Sequence, residues 1–178
     1  MRRENGFTLV EILVSLIAAV GLLGGIITVY LMSIRSWAEG STNASLERTA
    51  AIVIEKVVRG PSGRFGIREA DIGTMQVSAD AKSVSYTVDR QDPPTPWYTD
   101  DVTSRYYQLG TRIWHDPNSA VGGDEIALNR FGDVEDADFI LSGQVLTVRL
   151  VLTAKAPVAT TRRLSVRMNT DIFLRKRK

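Results

Sequence analysis

An α+β fold is the class this sequence predicts: one long N-terminal helix packed on an antiparallel β-sheet domain. Two observations carry the expectation. An apolar run over residues 7–34 passes into an amphipathic helical pattern that stops at Gly60-Pro61, and turn-punctuated alternating segments fill the rest. Strands clustered behind a single helix bury their apolar face against it, which is the α+β arrangement. The 178 residues suffice for one modest domain plus an anchor.

The apolar run comes first. Residues 7–34 contain one charged side chain, Glu11, and exceed the ~20 residues that a membrane-crossing helix needs. Arg2 and Arg3 precede the run and Arg35 follows it. Weighed on the short N-terminal flank, positive charge favours a cytoplasmic N-terminus and an exported remainder. A cleaved secretory signal would have an apolar core of roughly 7–15 residues followed by a small-residue cleavage site, which this run does not fit. A plain signal anchor fits the length but leaves Glu11 unexplained, because a carboxylate in hydrocarbon is costly.

Beyond residue 34, Leu46, Ala50, Val53 and Val57 recur at spacings of one helical face. Glu39, Glu47, Arg48, Glu55 and Lys56 lie mainly elsewhere on the surface. The helix should end at Gly60-Pro61, giving a rod of about 80 Å at 1.5 Å per residue. No proline interrupts it. Gly21 and Gly25 form a small-xxx-small pair, which permits close approach of another helix.

A turn-rich connector, residues 61–66, opens the remainder. Residues 75–78 and 83–89 read as a hairpin, with Val84, Tyr86 and Val88 on one face. Residues 90–104, with three prolines, read as an exposed loop. Residues 106–114 read as one strand with Tyr107, Leu109 and Ile113 on one side, followed by a turn over 115–118. A short strand is expected at 139–141. The clearest sheet signal is the alternation in 144–154, answered by 162–169 across a hairpin-length loop at 155–160.

Composition narrows the function classes. A net charge of +2 with dispersed Lys and Arg argues against a dedicated nucleic-acid binder. The absence of cysteine excludes disulfides, thiolate metal sites and thiol nucleophiles. The single histidine, His115, beside Asp116, has no Ser or Cys motif to serve and reads as a turn residue. Asp133, Glu135, Asp136 and Asp138 form the one acidic cluster of interest. They are weak metal candidates, since their spacing matches no EF-hand and calcium wants six to eight oxygens. No cofactor is expected.

The segment from Arg3 through Gly6, Phe7, Thr8 and Glu11 resembles the cleavage and methylation motif of the type IV pilin family, which includes the pseudopilins of type II secretion. A short charged leader, a glycine, an aromatic and a glutamate precede a long apolar helix in both. The resemblance implies cleavage between Gly6 and Phe7 by prepilin peptidase, N-methylation of Phe7, and a role for Glu11 in assembly register. The new amine would lie close to Glu11 of its own helix, four residues on, or to Glu11 of a neighbouring subunit, and pairing between subunits would neutralise the acid. It divides the chain into a leader 1–6, a transmembrane half-helix 7–34, a soluble half-helix 35–60 and a sheet domain 61–178 with a basic C-terminal tail. Residues 126–129 and 134–139, with the closing hairpin, are similar to J-type minor pseudopilins and W-type minor pilins. The partners implied are prepilin peptidase, other major and minor pilins or pseudopilins, an inner-membrane assembly platform and membrane lipid, with no direct nucleic-acid contact. The contrasting expectation is a signal-anchored exported enzyme or sensor domain with an uncleaved N-terminus.

Overall fold

The computed structural model describes residues 8–61, 66–70, 72–89, 101–156 and 162–174. Helix α1 spans Leu9–Arg59 without a break, a rod of about 76 Å. Its two halves differ completely in burial. Every residue from 9 to 37 is exposed, whereas Leu46, Ala50, Val53 and Val57 are buried. The helical face read from spacing is therefore the face that meets the domain. The helix ends where Gly60 adopts φ 85° and its N–H donates to the Lys56 carbonyl at 2.8 Å.

Among the described residues, eight strands follow two short 3₁₀ turns, Ile67–Glu69 and Ile72–Thr74. They are β1 (Gln76–Val77), β2 (Ser83–Asp89), β3 (Asp101–Leu109), β4 (Arg112–Asp116), β5 (Ile126–Ala127), β6 (Asp133–Ser142), β7 (Val145–Lys155) and β8 (Arg163–Phe173). The strands form two antiparallel sheets, β1-β2-β3-β4-β5 and β6-β7-β8, each a succession of neighbours in chain order. The three-stranded sheet lies on α1. Its inner residues Leu146, Val148, Leu150 and Leu152 on β7, with Leu164 and Ile172 on β8, are buried. Gly132 lies where this sheet closes on the helix. Its φ of +75° favours glycine, and an added Cβ would press on Leu46 Cδ2 at 2.7 Å.

The two sheets meet along β6. Its backbone N–H groups at Phe139 and Val134 donate to the Ala81 and Thr111 carbonyls at 2.8 and 2.9 Å. The Ala137 N–H donates to Gln108 Oε1 at 2.9 Å. The β1–β2 and β3–β4 turns of the larger sheet thus pair with an edge that would otherwise be open.

Four expectations need correction. Residues 106–114 are two strands, because Gly110 and Thr111 reverse the chain and pair Leu109 with Arg112. The reversal shifts parity, so Tyr106 and Ile113 point inward, while Tyr107 is half-buried and Leu109 exposed. Residues 101–104, expected in a loop, belong to β3; residues 90–100 lie outside those described. His115 and Asp116 end β4 and do not turn, and the short strand expected at 139–141 is the ten-residue β6. The 144–154 and 162–169 strands are as read, with β8 running on to Phe173.

Candidate functional site

Glu11 is the residue from which a site must be built. It occupies the third position of α1, and Thr8 is the N-cap. The Thr8 N–H donates to Glu11 Oε2 at 2.9 Å, the Thr8 hydroxyl donates to the same oxygen at 3.0 Å, and the Glu11 N–H donates to Thr8 Oγ1 at 3.3 Å. This reciprocal arrangement is a capping box, which satisfies two of the orphan donors at a helix start. The carboxylate also faces the positive end of the helix dipole. Glu11 is thereby positioned in the first turn of the rod, exposed, with Oε2 engaged by Thr8. Thr8 was missed in reading the sequence, although Thr-x-x-Glu ahead of an apolar run is the spacing that marks such a box. Gly6 and Phe7 lie outside the described residues.

Below this turn the helix is apolar on all sides. Gly21 and Gly25 leave a notch flanked by Leu22, Ile26, Val29 and Tyr30. A Cβ built at either glycine meets nothing within 4 Å. The notch is therefore open to an outside occupant. By length and composition α1 can cross a membrane, and Trp37, 75% exposed, follows the apolar run as an interfacial aromatic would.

The acidic cluster is part of a strand. Asp133, Glu135, Asp136 and Asp138 all lie on β6, where a bulge between Val134 and Asp136 breaks the alternation. Lys82, from the β1–β2 turn, holds two of them: Nζ donates to Asp138 Oδ1 at 2.7 Å and to Asp136 Oδ1. Hydrogen bonds donated to Asp136, then to Asp138, raise the Lys82 pKa above the ordinary lysine value. Asp133 and Glu135 are exposed and take no part. The ammonium occupies the place that a cation would take between the two carboxylates. Among the described residues no three His, Asp or Glu side chains converge as metal ligands.

His115 is buried on the inner face of the larger sheet, its ring 4.5 Å from that of Tyr106. Tyr106 in turn stacks on Tyr86 at 5.8 Å, and its hydroxyl donates to the Lys56 carbonyl of α1 at 3.0 Å. Burial raises the pKa of both phenols. The row Tyr86–Tyr106–His115 ties the larger sheet to the helix and is a core feature.

Residues 1–27 match the family described as the prokaryotic N-terminal methylation motif. The match covers the segment that carries Thr8, Glu11 and the notch at Gly21 and Gly25. It supports the pilin and pseudopilin family, whose architecture the long helix and antiparallel sheets share, and a substrate of a prepilin-type peptidase. The family of that motif is structural and not enzymatic. No curated protein and no solved structure matches the chain.

Proposed function

We propose that this chain is a minor pilin or pseudopilin that is cleaved between Gly6 and Phe7, N-methylated on Phe7, and assembled with other subunits to prime or cap a type IV pilus or secretion pseudopilus. One observation carries the reading: a methylation motif over residues 1–27 leads directly into a half-helix with no residue buried in its own fold. A 26-residue, largely apolar surface from 9 to 34 has no packing partner among the described residues. It needs lipid before assembly and neighbouring helices after it. The N-terminus stays cytoplasmic and the sheet domain is exported, ahead of an inner-membrane assembly platform. The resemblance of residues 126–129 and 134–139 and of the closing hairpin to J-type minor pseudopilins and W-type minor pilins is what points to the minor rank.

Glu11 then acts twice. Within its own chain it closes the capping box with Thr8, and between chains its charge meets the methylated amine of a neighbour. A buried pair of that kind specifies register more than it adds stability. The two roles separate by chemistry, because glutamine preserves a capping box but not the charge. Glu11→Gln should therefore be cleaved normally and remain helical, yet fail to enter filaments. Gly6→Leu should accumulate as uncleaved, membrane-retained precursor. Measurement is by mature-chain mass and by recovery of sheared filaments. Normal cleavage of Gly6→Leu, or filaments of normal yield from Glu11→Gln, would overturn the assignment. Retention of residues 1–6 in the wild-type mature protein would favour a signal-anchored exported domain.

A further inference from the structure

The hairpin end where β7 passes into β8 lies at the membrane end of the domain. Arg162 Nη1 contacts Glu39 Oε2 of α1 at 3.3 Å, and Glu39 is about 6 Å along the helix from Arg35. At the other end of β8, residues 170–173 line a cleft with Val58 and Arg59. Strand β8 therefore runs beside the outer half of α1, with Arg163 nearest the apolar segment and Phe173 farthest from it. Lys155 and Arg163 are directly opposed in the β7–β8 ladder and share the sheet face that turns away from the helix. Both are exposed, and neither has an acidic partner among the described residues.

Two like charges directly across a ladder destabilise a sheet. Among the described residues no ion pair offsets the pair at Lys155 and Arg163. Arg35 and the exposed Trp37 follow Ile34 on α1, within about 6 Å of Glu39 along the helix axis. Glu39 neutralises only Arg162. The arrangement is a basic collar around the exit of the helix from the membrane, with an aromatic beside it. Anionic headgroups attract such side chains over about a Debye length. We infer that Arg35, Lys155 and Arg163 seat the sheet domain on anionic phospholipid headgroups while the subunit is still in the membrane. Seating of this kind holds the domain against the bilayer and restrains its swing about the helix before extraction. The inference rests on α1 crossing the membrane and is independent of any filament.

The chain has no cysteine, so one label can be placed without background. The full chain carrying Ser165→Cys, labelled with a fluorophore on the exposed face of β8, is reconstituted into vesicles containing headgroup nitroxides. Quenching should be at least twofold stronger with phosphatidylglycerol than with phosphatidylcholine alone. It should fall to the phosphatidylcholine level in 0.5 M salt, about where the Debye length drops below 5 Å. Each basic side chain should shift the seated population roughly fivefold, so Lys155→Glu with Arg163→Glu should abolish the lipid dependence. Lys155→Glu alone should weaken it and also raise the melting temperature, since it turns a repulsive cross-strand pair into an attractive one. That rise shows that the variant folds. Quenching indifferent to lipid charge, or unchanged by the double reversal, overturns the inference. Indifference to lipid together with lost filament assembly on reversal assigns the collar to an acidic neighbouring subunit instead. Co-flotation of the chain in 0.5 M salt is measured in parallel; loss there means that the membrane-crossing reading has failed, and not the collar.

Discussion

Lys82 illustrates how one side chain converts a cluster of repelling acids into a joint. Asp136 and Asp138 leave β6 on the same side of its bulge, and the ammonium from the β1–β2 turn bridges them across the boundary between the sheets. The groups are only partly buried, so solvent screening limits the contribution. Lys82→Ala should lower stability by about 0.5–1 kcal/mol. The sign with pH follows from the raised Lys82 pKa. The contribution is fully present below the ordinary lysine value of 10.5 and is lost as pH rises past the folded value. Urea denaturation at pH 7, 9 and 11 should give a wild-type advantage equal at the first two and smaller at the third. An advantage that grows at pH 11 would contradict the joint. Tyr86 and Tyr106 also titrate late, but they do so in both proteins and cancel from the difference.

Among the elements, α1 is approached very closely at its C-terminal end. Gly66, buried, passes so close that an added Cβ would come within 2.3 Å of the Arg59 carbonyl carbon and the Gly60 nitrogen. The clashing atoms are backbone and cannot rotate away. Gly66→Ala should therefore cost about 1–3 kcal/mol, the range for forced overpacking, and loosen the helix end from the 3₁₀ turn Ile67–Glu69. Thermal melting in detergent checks the cost. Hydrogen exchange at Val57 and Val58 checks the location. A neutral Gly66→Ala would show that the connector yields freely. Legibility in the sequence also divides by element. The helical face at Leu46, Ala50, Val53 and Val57 and the β7–β8 pairing were readable because their periods are unbroken. Strand β6 was not, since its bulge puts Val134 and Ala137 on the same side and spoils the alternation. The β3–β4 hairpin was hidden by a Gly-Thr turn embedded in a run rich in strand formers.

At the scale of the whole molecule, the core begins at Leu46 and uses no residue from the first half of α1. Residues 35–178 expressed alone should therefore fold as a soluble domain with the full chain's strand content. Circular dichroism and a single cooperative melt are the measurements, and a molten or aggregated product would show that the apolar half supports the domain. Two sheets meeting along β6, both contacting α1, make the outer half of the helix a spine common to the domain. The inner half protrudes as a bare rod. Anchoring and packing are thus separate properties of one continuous helix.

What the sequence by itself determined is everything that depends on local order: the apolar run, its single acid, the methylation motif, the helix stop and the face of α1 that packs. These are set by composition and by periods of neighbouring residues, which act at short range along the chain. Tertiary structure alone decided that the strands divide into two sheets and that the four acids of 133–138 belong to a strand edge clamped by Lys82. It also decided that His115 is a core residue and that Lys155 and Arg163 gather at the membrane end. Each of these depends on which distant segments pair, and that choice is made by burying apolar faces together, a condition that no single stretch of sequence displays.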